Sequence, residues 1–206
     1  MKGNLIIISS PSGGGKGTLI RELLSRVPNI GYSVSYTTRS PRDGEKDGKD
    51  YHFVSEGEFR SREADGEFLE SAEVHGNCYG TSLAQATSMT GSGLDVVLEI
   101  DVQGAAAVLE KVPDAVSIFI LPPSFEVLSA RLTARATEGM EDLQLRLRNS
   151  QREVSEYTKF KYVVVNDEIE TAVAKLASIV IAERQRSVRQ NEAIKAILGS
   201  FERSKV

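Results

Sequence analysis

Leu5-Ile-Ile-Ile-Ser-Ser-Pro-Ser-Gly-Gly-Gly-Lys-Gly-Thr18 is the stretch from which the fold is read. Leu5 to Ile8 is an unbroken apolar run stopped by Ser9, Ser10 and Pro11, the pattern of a strand buried on both faces of a parallel sheet. Beyond the glycines, Leu19, Ile20, Leu23, Leu24 and Val27 fall on one face of a helix spanning Thr18 to Val27, which Pro28, Asn29 and Gly31 end. A glycine-rich turn between a strand and a helix start is suited to anions. Glycines let the backbone curl so that successive N–H groups point at one ligand, and the helix start adds the positive end of its dipole. Pro11, Ser12, Gly13, Gly14, Gly15, Lys16, Gly17 and Thr18 form the candidate phosphate loop, with Lys16 spaced to reach the outer phosphates of a nucleotide. The loop departs from the pattern G-x-x-x-x-G-K-[ST], because Ser10 replaces the first glycine and Gly17 stands where a hydroxyl is usual. Thr18, one residue later, is left to face Mg²⁺.

Working outward, buried strands are expected at Asp95 to Ile100, Val116 to Leu121 and Tyr162 to Val165, separated by stretches with helical spacing. This is an α/β pattern with a parallel sheet flanked by helices. Between the first helix and the Asp95 strand the texture changes: Tyr32 to Thr38 alternates, and short polar segments with many glycines run to Gly93. The segment from Ser124 to Tyr157 is rich in Arg, Glu and Gln, as two helices projecting from the core would be. Ile169, Val173, Leu176 and Val180 define a last covering helix between Glu168 and Arg189. The organisation expected is a single domain whose core comprises 1–33, 94–124 and 158–206, with an inserted mixed α/β lobe at 34–93 and a helical lid at 125–157.

Composition narrows the class. The chain has 206 residues, 40% hydrophobic and 26% charged, near the averages of packed soluble domains. Twenty-five Lys and Arg against 29 Asp and Glu give a formal charge of -4, which argues against nucleic-acid binding by overall positive charge. No run near the start has the length of a signal-peptide core or a membrane span. Cys78 is the single cysteine, so neither an intrachain disulfide nor a multi-cysteine zinc site is expected, and the cytoplasm is the default compartment.

A second constellation follows the loop: Ser35-Tyr-Thr-Thr-Arg-Ser-Pro-Arg42, Tyr51, Phe68-Leu-Glu70 and Tyr79-Gly-Thr81. Arg39 and Arg42 lie three apart beyond an expected strand, where two guanidinium forks would converge on one monophosphate, with Tyr51 and Tyr79 adding hydroxyl donors. Together with the loop, these segments resemble the guanylate kinase family. The resemblance runs from about Leu5 to about Ala182, through Leu98-Glu-Ile-Asp-Val-Gln-Gly104, Arg135 with Thr137-Glu138, Arg146-Leu147 and Val165-Asn-Asp167. It implies a P-loop NTPase core, a GMP-binding lobe and a lid, with phosphoryl transfer from ATP to GMP in the presence of Mg²⁺ and with dGMP as a second acceptor. It also implies that Arg39, Arg42, Tyr51 and Tyr79 hold the GMP phosphate, and that Ser35, Glu70, Thr81 and Asp101 line the base pocket. A carboxylate only accepts, and guanine presents adjacent N–H donors at N1 and N2 where adenine has a lone pair at N1, so Glu70 is the residue expected to choose the base.

The same resemblance gives Arg135 and Arg146 to the ATP phosphates and Asn166 to the neighbourhood of the adenine ring. Lys16, Arg39, Arg135 and Arg146 are the residues expected to act in transfer. Asp101 ends its strand as a Walker-B acid would, for a water-mediated Mg²⁺ contact or a bond to the guanine amino group. Ala136 stands where the family usually has glycine. Arg131 is a further lid arginine, Arg148 reads as a solvated face, and His52, His75 and Cys78 read as structural. The apolar cluster Ala193, Ile194, Ile197 and Leu198 suits core packing or a dimer contact, so a monomer and a homodimer both stay open. Two rivals are a kinase of another small phosphate ester on the same core and a guanylate-kinase-like protein-binding module. Ser35, Glu70 and Thr81 speak against the first, and the intact Lys16 and Thr18 against the second.

Overall fold

The computed structural model describes residues 2–74, 76–135 and 140–203. Along the chain, β1 (Leu5–Ser9) and α1 (Lys16–Arg26) are followed by β2 (Ile30–Tyr32), β3 (Tyr36–Thr37), β4 (His52–Phe53), α2 (Glu56–Ala64), β5 (Phe68–Val74), β6 (Asn77–Ser82) and α3 (Leu83–Gly91). Then come β7 (Asp95–Glu99), α4 (Val102–Lys111), β8 (Val116–Leu121), α5 (Phe125–Arg135), α6 (Met140–Val154), β9 (Tyr162–Val165), α7 (Ile169–Arg184) and α8 (Asn191–Arg203). Among the described residues these strands make two sheets, a five-stranded parallel one in the order β2-β7-β1-β8-β9 and a four-stranded mixed one in the order β4-β3-β6-β5.

The reason β1 is so apolar is its place in the middle of the parallel sheet, with helices on both faces. Side chains alternate along a strand, so Ile6 and Ile8 enter the layer closed by Leu19 and Leu23 of α1 and by Val173 and Leu176 of α7. Ile7 points the other way, among Leu98, Ala105 and Val108. All three isoleucines are fully buried. The carboxyl ends of β1 and β7 therefore lie side by side, and the glycine loop and Asp101 leave the sheet at the same edge.

The alternation from Tyr32 to Thr38 is not one strand. Ile30–Tyr32 pairs with β7 in the parallel sheet, whereas Tyr36–Thr37 pairs with β4 and β6 in the mixed sheet. Period-two alternation marks extended backbone and carries no information about which neighbour it pairs with, so the crossing between sheets is invisible in the pattern. The expected helix to Arg189 ends at Arg184, and Ser187–Arg189 forms a separate 3-10 turn. Ile194, Ile197, Leu198 and Phe201 of α8 are exposed rather than packed in the core. Among the described residues no helix is long and apolar enough to cross a membrane.

Asp95, at the start of β7, ties four segments together. It is buried, accepts the Asn4 N–H at 2.6 Å on one oxygen and the Arg184 Nε at 2.7 Å on the other. Arg184 also donates to the carbonyls of Pro28 and Asn29, at 2.8 and 3.1 Å, so the end of α7 is fastened to the turn after α1. Asp95→Asn keeps the shape and removes the charge, and is expected to cost about 2 kcal/mol in urea unfolding while leaving turnover at low temperature unchanged.

Candidate active site

The loop between β1 and α1 is shaped by glycines at two positions in particular. Gly13 and Gly15 have φ of 82° and 89°, in the left-handed region that side chains disfavour. A turn within the loop is closed by Gly14 N–H donating to the Pro11 carbonyl at 2.9 Å, and α1 begins at Lys16 with no side-chain cap. The first amides of α1 are thus left for a ligand. Thr18 is exposed on that first turn.

Several distant residues grip the loop. Asn166, buried just past β9, donates its Nδ2 to the Gly14 carbonyl at 2.9 Å, and a Cβ on Gly15 would collide with that same amide. Arg131 of α5 donates to the Asn166 carbonyl at 3.2 Å. Arg131 Nη1 and Asn166 Oδ1 are buried without a hydrogen-bond partner. Leu128 and Leu132 pack beneath, so that a Cβ on Gly13 would lie 2.9 Å from Leu132. On the outer side, α6 presents Arg146, Ser150 and Glu153 along one face to Ser12. Glu153 accepts the Ser12 N–H at 3.0 Å, the Ser150 hydroxyl donates to the Ser12 carbonyl at 3.2 Å, and Arg146 reaches the Ser12 hydroxyl at 3.3 Å. Arg135 closes α5, and its side chain, like residues 136–138 and His75, lies outside the described residues.

Lys16, Ser35, Tyr51, Glu70, Tyr79 and Asp101, which come from six separate segments, line one cavity of about 190 Å³ together with Glu99. Glu70 is 4% exposed and its Oε1 accepts the Thr81 hydroxyl at 2.6 Å across the β5–β6 pair. The pairing steps from Phe68–Ser82 to Glu70–Thr81, so Leu69 is an extra residue. A bulge of this kind re-aims the side chain that follows it, here Glu70. The Leu69 carbonyl, which the bulge removes from the ladder, accepts Lys111 Nζ of α4 at 2.6 Å. Burial pushes the Glu70 carboxyl up to about 7, against the Thr81 hydroxyl bond, which favours the charged form. Asp101 caps α4, accepting the Gly104 N–H at 2.8 Å. Burial holds the Tyr51 hydroxyl up to about 12, so it is a neutral donor at ordinary pH.

Arg39 stands beside this cavity with its guanidinium carbon 5.4 Å from the centre of the Tyr51 ring. Glu45 takes its Nη2 on both oxygens, at 2.9 and 3.0 Å, and also accepts the Arg42 N–H at 2.8 Å. Arg42 itself lies on the exposed turn, and Arg148 is exposed. Arg146 and Asn166 are not in the cavity; they sit at the loop, as does Arg131. The reading of the sequence missed Glu45, Glu99, Lys111, Ser150 and Glu153, all of residue types that are solvated by default and that carry no spacing signal. Glu99 was legible in one respect, since it lies two residues before Asp101 at the end of an apolar strand. Its carboxylate faces the start of α1, 3.8 Å from where a Cβ on Gly17 would be. Among the described residues no group of three or more His, Cys, Asp or Glu is arranged to hold a metal ion. Carboxylates at Glu99 and Asp101, lining the same cavity as Lys16, suit Mg²⁺, which keeps much of its water and binds mainly through nucleotide phosphates.

A family model described as guanylate kinase matches residues 2–183. The chain is 49% identical over 193 residues to a guanylate kinase of Symbiobacterium thermophilum, covering 94% of this chain and 92% of the relative. It is 51% identical over 189 residues to that of Neisseria gonorrhoeae, with 92% of both chains covered. The crystal structure of guanylate kinase from Anaplasma phagocytophilum superposes with a TM-score of 0.77 at 36% identity, covering 91% of this chain and 89% of that one.

The buried carboxylate at Glu70 has a thermodynamic signature. Its native value near 7 stands above the 4.5 of an unperturbed carboxyl, so between these pH values the folded state binds more protons than the unfolded state. Stability contributed by this group is therefore present in acid and falls as pH rises through that window, levelling above 7, by up to about 3 kcal/mol. Chemical unfolding measured from pH 4.5 to 8 should show that slope in the parent protein, and Glu70→Gln should lack it.

Proposed function

We propose how the site works from the premise that the chain belongs to the guanylate kinase family. It is a nucleoside monophosphate kinase, and its reaction is ATP plus GMP giving ADP plus GDP. The observation that carries the assignment of roles is the single cavity lined by both Lys16 of the phosphate loop and Glu70 of the inserted lobe. A donor anchored on the loop and an acceptor anchored on the lobe meet at Lys16.

In this reading the ATP phosphates lie on Ser12 to Thr18, held by backbone N–H groups and the Lys16 ammonium. Asn166 Oδ1, an acceptor lacking a partner, suits the amino group of adenine at the outer end of the loop. GMP lies in the lobe, its phosphate between Arg39, Arg42, Tyr51 and Tyr79. Its guanine N1–H and N2–H donate to Glu70, with Ser35, Thr81 and Asp101 completing the pocket. Adenine would turn an acceptor toward the buried carboxylate, a mismatch of several kcal/mol. Thr18 and, through water, Asp101 and Glu99 would hold Mg²⁺, which when bound neutralises phosphate charge. A GMP phosphate oxygen attacks the γ-phosphorus in line and the bond to the ADP oxygen breaks. That oxygen is already anionic near neutral pH, so no general base is needed, and catalysis is positioning and charge neutralisation by Lys16, Arg39, Arg135 and Arg146. No residue in this set is assigned to the ribose 2′ position, so dGMP is an expected second acceptor. We place the protein in the cytoplasm, as a monomer or homodimer with no nucleic-acid partner.

The test is ADP release from ATP and Mg²⁺ with GMP, AMP, UMP or a ribose phosphate offered separately. Turnover with GMP alone supports the reading. Turnover with the sugar phosphate alone overturns the base pocket, and GMP binding without turnover points to a binding module. Lys16→Ala should abolish transfer in a folded protein. Glu70→Gln should lower kcat/KM for GMP by about tenfold or more with little effect on the KM for ATP.

A further inference from the structure

We infer that Gly104, in the first turn of α4, is a positioning residue for acceptor choice: the side chain it lacks is the space in which the Glu70 carboxylate is held. The meaning of that carboxylate as the reader of guanine rests on the function proposed above. The space itself is a matter of geometry. A Cβ built on Gly104 would lie 2.7 Å from Glu70 Oε2, 3.2 Å from Glu70 Cδ and 3.3 Å from Asp101 Oδ1. A methyl group at this position therefore meets both carboxylates assigned to the base pocket, and it meets Glu70 inside van der Waals contact.

Backbone conformation gives no reason for a glycine here. Gly104 is not among the glycines with positive φ, and it lies within a regular helix from Val102 to Lys111, where alanine is the better residue. What the position requires is room. Gly104 and Glu70 are both buried, and Thr81, whose hydroxyl fixes the other Glu70 oxygen, is wholly inaccessible. The Glu70 carboxylate thus sits between the Thr81 hydroxyl on β6 and the bare backbone of α4. From the far end of the same helix, Lys111 holds the Leu69 carbonyl that the bulge exposes. Helix α4 fixes β5 at two points, by a bond to the residue before Glu70 and by a gap for Glu70 itself.

The collision at Gly104 is with the far end of a flexible side chain. A Cβ there can be accommodated by moving the carboxylate, which spares the fold and misplaces the group that reads the base. Gly104→Ala is therefore expected to keep its melting temperature or raise it, to keep the KM for ATP within about twofold, and to lose about tenfold or more in kcat/KM for GMP, chiefly through KM. In a Glu70→Ala background, where nothing fills the gap, Gly104→Ala should change the residual GMP kinetics by less than about twofold.

An unchanged KM for GMP in Gly104→Ala would overturn the inference, as would an equal loss in both backgrounds. Loss of folding in the single variant would also overturn it if the double variant fails to fold as well; a double variant that folds where the single does not would support it. The Glu70 carboxyl titration, followed by carbon NMR, needs no substrate and should shift in Gly104→Ala. If the parent protein does not use GMP but this titration shifts, the functional reading fails and the positioning survives. A titration that stays in place sinks the positioning alone.

Discussion

A phosphate loop works only while its backbone N–H groups stay available to the ligand, and a loop that leaves its own donors free cannot hold itself together. Beyond the turn closed by Gly14 N–H on the Pro11 carbonyl, what gives it shape must come from outside. Here that support is distributed around the molecule: the β1 core beneath, the Leu128 and Leu132 side chains of α5 against Gly13, and the Asn166 amide on the Gly14 carbonyl. The supporting groups take the loop's carbonyls or fill its apolar side, and Glu153 takes the amide of Ser12 at the start of the loop, leaving the start of α1 open. The central place of β1 in the parallel sheet follows from this requirement, because only a strand buried on both faces gives the loop a rigid base.

The inserted lobe solves the opposite problem. A carboxylate in the role proposed for Glu70 is most discriminating when buried, and burial is what makes a charged carboxylate unfavourable. The structure meets this with the Thr81 hydroxyl on one oxygen, the bulge at Leu69 that aims the side chain inward, and α4 packed close behind. Burial sets the Glu70 carboxyl at about 7, against the Thr81 hydroxyl bond that favours the charged form. Donors from a bound base would favour the charged form, so substrate supplies part of what the pocket leaves out.

How much of this was legible follows from which contacts are local. The loop and the strands at Asp95, Val116 and Tyr162 were readable, because each is announced by a run, a period or a short motif; Glu70 and Thr81 were named only through the family resemblance, and their pairing was not legible. The Leu69 bulge was not, since a single extra residue leaves no mark in a polar, glycine-rich stretch. Nor was the role of Asn166 in holding Gly14, a contact between residues 152 apart in sequence. Glu45, Ser150 and Glu153 are of types found on any surface helix or turn, and only the folded chain shows that they face Arg39 and Ser12. Arg131 reaches the loop region through Asn166, a contact no spacing in the sequence announces.

The two arginine-bearing segments differ in how they are held before substrate arrives. Arg39 is locked in a two-oxygen contact with Glu45 and over Tyr51, so its orientation is fixed by groups of the lobe itself. Arg146 is held by a residue of the loop, the Ser12 hydroxyl, while Glu153 from the same helix takes the Ser12 N–H. An anion drawing on the Ser12 amide would compete with a carboxylate for one donor and attract the arginine beside it. Ligand charge at the loop would therefore act on α6 with opposite sign at its two contacts. Helix α6 and the loop are coupled through one serine, Ser12.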